Sequence, residues 1–193
     1  MFDIVSIIQT YGYLGIFLLM LLESASLPIP SEIVLPSIGF LSKSGIINPF
    51  VSYIVSVIGS FFGIMIDYYI GFFLNKEFVY RHAMRFKIKK EHLDMVYRFF
   101  EREGEPTVLI SRFVPVIRGL ISFPAGFAKM NVIRFSVFSL IGILLYNALL
   151  IAFGYYALSL NLFNTIIFVA IFLIILYLVF VYFIKRIKNK INY

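Results

Sequence analysis

Two glutamates flank a proline-broken apolar stretch near the start of this chain. Glu23 and Glu32 lie on either side of Pro28 and Pro30. The two prolines prevent a straight helix, so the chain must break there. A charge at bilayer depth costs about 2.5–3.5 kcal/mol on insertion scales, which makes an intramembrane carboxylate a functional candidate. Burial disfavours the charged form of a carboxyl group, so either glutamate can exchange a proton when the site is dry.

Two arginines flank a second broken stretch. Arg112 and Arg118 lie on either side of Pro115. An arginine is effectively always charged, so at membrane depth it must be paired or wet. A bend near Pro115 would bring both guanidinium groups into one cavity, and two such forks suit a phosphate group. The alternative is that Arg112 reaches the membrane surface and that Arg118 pairs with an acid for purely structural reasons.

Two further polar residues are candidates for the same site. Ser31 is expected to cap a half-helix that starts at Glu32, and the N-terminal end of that helix would attract a phosphate. Gly59, Gly63, Asp67 and Gly71 recur every four residues, so Asp67 shares a predicted helix face with three glycines. Such a stripe indicates a tight helix contact, so Asp67 should face protein rather than lipid. We expect Asp67 to relay protons or pair with an arginine, and a structural hydrogen bond is the alternative.

The composition is that of an integral membrane protein. Of the 193 residues, 61% are hydrophobic and 14% are charged, against about 25% charged residues in soluble domains. The length fits one membrane domain, residues 1–193. Because the chain has no cysteine, disulfides and cysteine-ligated metals are excluded, and we expect neither a cofactor nor a metal. The basic residues flank apolar spans and are interleaved with acids, which argues against a nucleic-acid partner.

Four apolar segments are predicted to form membrane helices, although the first could instead lie partly in the interface. They are residues 6–22, 46–74, 135–158 and 163–184. Basic clusters at 76–102 and 185–190 mark the cytoplasmic side. With both clusters on that side, the broken segments 24–42 and 106–129 must each begin and end on one face of the membrane. The sequence therefore predicts an all-α polytopic protein with two re-entrant hairpins that enter from opposite faces.

A faint internal repeat favours two inverted halves. Residues 36–43 resemble residues 124–129, and each segment follows an earlier proline by eight or nine residues. Broken apolar segments at corresponding positions of two halves indicate inverted-topology repeats with a binding site between them. The predicted halves are residues 1–75 and 105–193, and the second ends in two transmembrane helices. Between them, residues 76–104 form a cytoplasmic basic segment with an amphipathic interfacial helix.

These residues resemble the DedA family of membrane proteins, also called VTT or SNARE-associated-like proteins. The resemblance covers about residues 12–155 and includes the acid motif at 23–32 and the arginine motif at 112–118. It also includes eleven other positions: Gly39, Phe40, Gly45, Gly59, Gly63, Tyr68, Gly71, Ala125, Gly126, Met130 and Phe135. Gly119 departs from the family pattern, which often has Thr or Ser after the second arginine.

The resemblance implies two opposed re-entrant hairpins, residence in the bacterial cytoplasmic membrane, and movement of a lipid across it. Undecaprenyl phosphate is the leading candidate. The family's functional acids would fall on Glu23 and Glu32, and its functional arginines on Arg112 and Arg118. We therefore predict a proton-coupled transporter of a polyprenyl phosphate rather than an enzyme. The arginines would hold the phosphate, and proton uptake by a glutamate would release it. The expected partners are this anionic lipid, protons and membrane lipids, and a homo-oligomer is left open.

Three other functions remain open. A proton-coupled antiporter of small cations or drugs could use the same hairpins. A membrane phosphatase could use the arginines, but the chain offers no obvious nucleophile, and both histidines lie in the charged loop. A non-catalytic assembly factor would use the charges only to hold the fold together.

Overall fold

The computed structural model describes residues 4–27, 29–74, 104–113, 118 and 121–157, which contain six helices and no strand. The helices are α1 (Ile4–Ser24), α2 (Ser31–Lys43), α3 (Pro49–Phe73), α4 (residues 104–111), α5 (Ser122–Phe127) and α6 (Val132–Ala157). Four features predicted from the sequence lie outside the described residues: the breaks at Pro28 and Pro115, the amphipathic helix within 76–104, and the span at 163–184.

Three of the described helices are long and apolar enough to cross a membrane. These are α1, α3 and α6. The predicted spans at 46–74 and 135–158 are thus confirmed to within a few residues, and the first segment has the length for a full crossing. The helix α1 is kinked at Gly12, where φ is 57°. This left-handed conformation suits a residue without a Cβ atom.

The chain breaks between α1 and α2 as the prolines require, but the predicted helix cap is wrong. Pro30 itself occupies the cap position in an extended conformation, with φ −76° and ψ 107°. The amides of Ile33 and Val34 donate to its carbonyl oxygen at 3.0 and 3.2 Å. Ser31 is already the first helical residue and makes no side-chain capping bond. The proline ring fixes φ at a value that suits the residue before a helix, so a serine cap is not needed.

The short helix α2 packs tightly on α6. A Cβ atom at Gly39 would overlap the carbonyl oxygen of Ile151, and one at Gly154 would overlap that of Pro36. The contact is reciprocal. Gly39 lies against the carbonyl group of the residue three positions before Gly154, and Gly154 lies against that of the residue three positions before Gly39. Such an approach is possible only for residues without side chains, and it brings Cα–H groups onto carbonyl oxygens.

The short helix α5 packs on α3 with the same geometry. A Cβ atom at Gly126 would overlap the carbonyl oxygen of Tyr68, and one at Gly71 would overlap that of Phe123. The three-residue offset between carbonyl and glycine is again present in both helices. In sequence order, therefore, α2 packs on α6, and α5 packs on α3.

Two lysines extend this correspondence at the ends of the short helices. The Lys43 ammonium group lies 4.9 Å from the centre of the Tyr155 ring, and that of Lys129 lies 3.9 Å from the centre of the Phe72 ring. Each aromatic residue directly follows a contact glycine of its long helix. The two helix pairs thus share three matched contacts.

Both connections from a short helix to the next long helix also match. Gly45 and Lys129, each the second residue after its helix, have φ values of 75° and 56°. A left-handed residue at this position is a common way to end a helix. Asn48 then caps α3 and Asn131 caps α6, each accepting two backbone N–H bonds of 2.9 to 3.2 Å.

The glycine stripe of α3 is confirmed as a helix contact. Besides Gly71, which faces α5, Gly59 and Gly63 face α1, where added Cβ atoms would crowd the carbonyl oxygens of Phe17 and Leu21. Asp67 lies on the same face and is only 6% exposed. It therefore faces protein, as the spacing of the glycines predicted.

Substituting Gly126 by alanine should lower the stability of the fold by about 1–3 kcal/mol, because a backbone carbonyl lies where the new methyl group must go. Thermal unfolding of the protein in detergent micelles measures this as a lower Tm. Gly104→Ala is the matched control, because its Cβ atom would meet only Met130 at an ordinary 3.6 Å. Equal Tm values for the two variants would contradict the tight contact between α3 and α5.

Candidate functional site

Glu23 and Arg118 form a buried ion pair. Glu23 lies in the last turn of α1, where the helix dipole offers a carboxylate no stabilisation. Its Oε2 atom accepts hydrogen bonds of 2.9 Å from Nη2 of Arg118 and 2.9 Å from the hydroxyl of Ser24. Both charged residues are 7% exposed. The structure thus brings one member of each sequence motif together across 95 positions of the chain.

Arg112 is buried against neutral acceptors. It directly follows α4 and is 3% exposed. Its Nη1 atom donates to the backbone carbonyl of Arg118, and Nη2 donates to the hydroxyls of Ser122 at 3.1 Å and Ser139 at 2.9 Å. Its Nε–H has no acceptor within the described part of the chain. The guanidinium group is therefore held in place by three bonds, and its Nε–H remains for a further ligand.

A glycine of α6 makes room for this arginine. A Cβ atom at Gly142 would lie 2.7 Å from both Cβ and Cγ of Arg112. The ring of Phe135 lies 5.6 Å from the guanidinium carbon, within the range of a cation–π contact. The sequence reasoning did not assign Gly142 to the site, because a single glycine in an apolar helix gives no hint of its contact.

Tyr146 of α6 contacts both an acid of the first motif, Glu32, and an arginine of the second, Arg118. Its hydroxyl donates to Oε1 of Glu32 at 3.0 Å, and its ring centre lies 4.2 Å from the guanidinium carbon of Arg118. Tyr146 is 2% exposed. Sequence reasoning missed it, although polar residues within the apolar middle of this helix were a usable signal: Ser139, Tyr146 and Asn147.

Asp67 joins the site from the side of α3. Its Oδ2 atom accepts a hydrogen bond from Ser26, which has a φ of 59° in the turn after α1. Asp67 and Glu23 are both close enough to Arg112 to act on its charge. Asp67 therefore holds the broken stretch and contributes to the local field around the arginines.

Glu32 and Ser31 occupy different environments at the start of α2. Glu32 is exposed in the described fold, and its carboxylate acts on Arg118 from a distance. Ser31 is 2% exposed. It does not line the cavity that the arginines share. The prediction that Ser31 contacts a phosphate therefore stays a prediction.

The two arginines line one small cavity. Its volume is about 10 Å³, roughly the space that one water molecule needs. The residues that line it are Ser24, Ile64, Arg112, Arg118, Ile143 and Tyr146. A phosphate group needs more space than this cavity offers, and Arg118 is paired with the Glu23 carboxylate instead.

The charges of the site are nearly balanced. Two guanidinium groups against the carboxylates of Glu23, Glu32 and Asp67 give a formal charge of −1. Within the described ranges, no group of three or more His, Asp or Glu side chains could hold a metal ion. The arrangement can bind an anion, and it can exchange a proton at a carboxylate that faces an arginine.

Replacing Tyr146 by phenylalanine should slow the activity of the site about fivefold, because one hydrogen bond of about 1 kcal/mol to Glu32 is lost. Tyr146→Leu should cost a further factor of about 2 to 30, because it also removes the cation–π contact with Arg118, worth about 0.5–2 kcal/mol. Transport assays on reconstituted protein measure both effects. Tyr156→Phe, at an exposed position of the same helix, should have no effect. Full activity of the leucine variant would contradict the role assigned to Tyr146.

Comparison with known proteins identifies related membrane proteins. A family model described as "VTT domain" matches residues 29–156. The undecaprenyl phosphate transporter A of Staphylococcus aureus is 35% identical over 199 residues, which cover 97% of this chain and 98% of that protein. The protein of the same name from Bacillus subtilis is 33% identical over 152 residues, covering 79% and 75% of the two chains.

A relative with a different name is similar to about the same degree. An "alkaline phosphatase-like protein" of Lactococcus lactis is 33% identical over 159 residues, covering 78% of this chain and 73% of that protein. No solved structure matches the chain. The names of the relatives therefore point to both transport and phosphate chemistry.

Proposed function

The chain belongs to the VTT domain family, which its motifs predicted under the name DedA, and from this premise we propose that it carries a polyprenyl phosphate across the membrane together with protons. It is a multi-pass protein of the bacterial cell membrane. The observation that carries the proposal is the buried pair of Glu23 and Arg118 beside Arg112. Two arginines suited to a phosphate are held closed by a carboxylate that can take up a proton.

Both arginines can contribute to phosphate binding. Arg112 is oriented by its three acceptors and keeps its Nε–H for a ligand oxygen. Arg118 offers its Nη2 group, which now contacts Glu23. Arginine binds phosphate through parallel N–H bonds of fixed geometry. Undecaprenyl phosphate is the proposed substrate because two relatives are named as its transporters.

Proton coupling follows from competition between two anions for Arg118. The ionised Glu23 carboxylate excludes a phosphate from the guanidinium group, whereas the protonated carboxyl group does not. Proton uptake would then precede phosphate binding, and proton loss would expel the lipid headgroup. This order is the reverse of the one that the sequence suggested, and the direct contact at 2.9 Å favours it.

The charge of the site supports this cotransport. The empty site has a formal charge of −1, and one proton brings it to zero. A phosphate that enters as a monoanion restores −1, so the buried site never accumulates charge. Uncompensated charge at membrane depth is costly, and a cycle whose formal charge stays between −1 and zero limits that cost.

The two broken segments at 24–42 and 106–129 are proposed to be re-entrant hairpins in inverted repeats. The matched glycine contacts and the two left-handed helix ends support this arrangement. In such a fold the site lies where the two hairpins meet, and it opens to either face as one half tilts against the other. The prolines Pro28, Pro30 and Pro115 would keep these segments from crossing as continuous helices.

A binding screen tests the proposed substrate class. Purified protein is mixed at pH 5.5 and pH 8 with polyprenyl phosphate, the corresponding alcohol, and a dialkyl phosphate of similar size. We expect the phosphates to bind, the alcohol not to bind, and binding to be tighter at the acid pH. The absence of any preference for phosphate would favour the small-cation or drug antiporter, which transports dye or cation without lipid.

A membrane phosphatase is the second candidate, and the name of the Lactococcus lactis relative favours it. The two functions differ in their product. A transporter leaves the phosphate ester intact, whereas a phosphatase releases inorganic phosphate and leaves the alcohol. Release of inorganic phosphate from polyprenyl phosphate by the wild type, and not by Arg112→Gln, would replace the transporter by the phosphatase.

A further inference from the structure

A line of buried serines on α3 leads from the end of that helix toward the charged site. Ser52, Ser56 and Ser60 are each 0% exposed, and their four-residue spacing places them on one helix face. The next residue of that face is Ile64, which lines the cavity of the two arginines. None of these serines contacts a charged group of the site in the proposed function, so their burial needs another explanation.

Asn147 of α6 connects this line to the cavity. It is 0% exposed, and its Nδ2 atom donates to the hydroxyl oxygens of Ser56 at 3.2 Å and Ser60 at 3.5 Å. The neighbouring residue Tyr146 lines the cavity. The Oδ1 atom of Asn147 has no hydrogen-bond partner among the described residues. We call Ser52, Ser56, Ser60 and Asn147 the serine–asparagine track.

Helix packing explains only part of this arrangement. Polar side chains often hold membrane helices together, and the two bonds from Nδ2 fit that role. The unpaired Oδ1 atom does not, because a buried acceptor without a partner is destabilising, and no bulk water reaches the bilayer core to satisfy it. A bound water molecule satisfies such an atom, and buried waters use several polar partners.

The serine hydroxyls can accept further hydrogen bonds from water. Ser52 donates to the Asn48 carbonyl at 2.8 Å, and Ser56 donates to the Tyr53 carbonyl at 2.7 Å. These donors are used within the helix, which leaves oxygen lone pairs directed away from it. The Tyr53 hydroxyl, which donates to the Leu144 carbonyl at 3.1 Å, lies beside the same line.

The track is long enough to carry a proton from the outer end of α3 to the cavity of the two arginines. The twelve residues from Ser52 to Ile64 correspond to about 18 Å along a helix, at about 1.5 Å per residue. Its far end adjoins Asn48 in the connection before α3. With the basic segment after α3 in the cytoplasm, this end of the helix faces the outside. The track therefore extends from the outer face to the cavity.

We propose that the serine–asparagine track binds water and carries protons from the outer face to the charged site. The inference rests on the proposed proton-coupled function and supplies its route. The serine hydroxyls hold the waters in place, and each water takes a proton on one side and gives one up on the other, so only the final carboxylate gains a proton. The titratable and charged groups around the inner end are Glu23, Glu32, Asp67, Arg112, Arg118 and Tyr146.

Liposomes with purified protein and polyprenyl phosphate test the route. Lipid exchange is measured at equal pH and again with acid outside. For Asn147→Leu and for Ser60→Ala we expect unchanged exchange at equal pH. The acceleration by outer acid should fall about tenfold, which corresponds to about 1.4 kcal/mol on the barrier to proton entry. Ser37→Ala is the control, because its hydroxyl donates to a carbonyl of its own helix, that of Ile33 at 2.7 Å, as the hydroxyls of Ser52 and Ser56 do.

Two results would overturn the route. Full acceleration by outer acid in both variants would show that protons enter elsewhere. An equal loss of exchange at equal pH would show that the track only supports the fold, and the Tm of each variant reports the same effect independently. Failure of the proposed function looks different, because the wild type would then exchange no lipid under either condition.

Discussion

Replacing Arg118 by glutamine is expected to abolish lipid transport, with a fall in the initial rate of at least about 100-fold. The substitution removes one of two phosphate-binding groups. It also leaves the Glu23 carboxylate buried without its partner at 2.9 Å. Breaking a buried ion pair from one side costs about 3–5 kcal/mol. The assay follows labelled polyprenyl phosphate across liposomes that contain the purified variant.

Two comparison variants separate the phosphate role of Arg118 from its structural role. In the double variant Glu23→Gln with Arg118→Gln, no charge is left unpaired, so Tm should return toward the wild-type value while transport stays absent. Arg134→Gln is the matched control, because Arg134 makes an exposed ion pair with Glu105 at 2.7 Å, and exposed pairs contribute little.

A rescue of transport would contradict the phosphate role. If the double variant, or the exchange Glu23→Arg with Arg118→Glu, moved lipid at the wild-type rate, then the pair would only hold the fold together. The protein would then fit the non-catalytic assembly factor better than the transporter.

Glu23→Gln is expected to remove the pH dependence of phosphate binding. In the wild type, the ionised carboxylate competes for Arg118 at pH 8, and protonation removes the competitor at pH 5.5. A charged hydrogen bond of about 1.5–3 kcal/mol corresponds to binding about 10 to 100 times tighter at the acid pH. The glutamine variant should bind polyprenyl phosphate tightly at both values, and its transport should no longer be accelerated by outer acid. Titration calorimetry in detergent measures the binding.

The glutamine variant also corrects for the substrate. A phosphate monoester itself loses charge near pH 6, which weakens its binding to arginine in acid and opposes the effect of Glu23. Any pH dependence of binding that remains in Glu23→Gln reports the titration of the substrate alone. Glu105→Gln, at a surface position, is the control and should bind as the wild type does. If Glu23→Gln kept the full preference for acid, Asp67→Asn and Glu32→Gln in the same assay would show which acid carries the proton.

The charged residues of the site could be predicted because their signal is local. A charge beside a proline within an apolar run is visible in the sequence, and so is the glycine stripe that places Asp67 against protein. The pairing could not be predicted, because either glutamate could have met either arginine. The contact of Glu23 with Arg118 depends on how α1 packs against the segment after α4.

The residues that orient the arginines could not be predicted from local patterns. Tyr146 contacts Glu32 across 114 positions, and Ser139 contacts Arg112 across 27. A serine or tyrosine in a membrane helix is common, and only the packing of the helices decides which one meets a charge. The cap of α2 was mispredicted because Pro30 meets the geometric need that Ser31 was expected to meet.

The internal repeat was visible in the sequence, but its contacts were not. Similarity between residues 36–43 and 124–129 gives no indication that each short helix packs on a long helix distant in the chain. That follows from the reciprocal positions of Gly39 with Gly154 and of Gly71 with Gly126. The carbonyl groups they meet belong to the backbone and leave no mark on the amino-acid pattern.

The central claim is that protons drive the movement of a lipid phosphate through this site. Its most direct measurement is the initial rate of polyprenyl phosphate transfer across liposomes that contain the wild-type protein, at equal pH and with acid outside. The account predicts transfer above that of protein-free liposomes, accelerated by outer acid, with no release of inorganic phosphate. Transfer no faster than in protein-free liposomes under both conditions would contradict it.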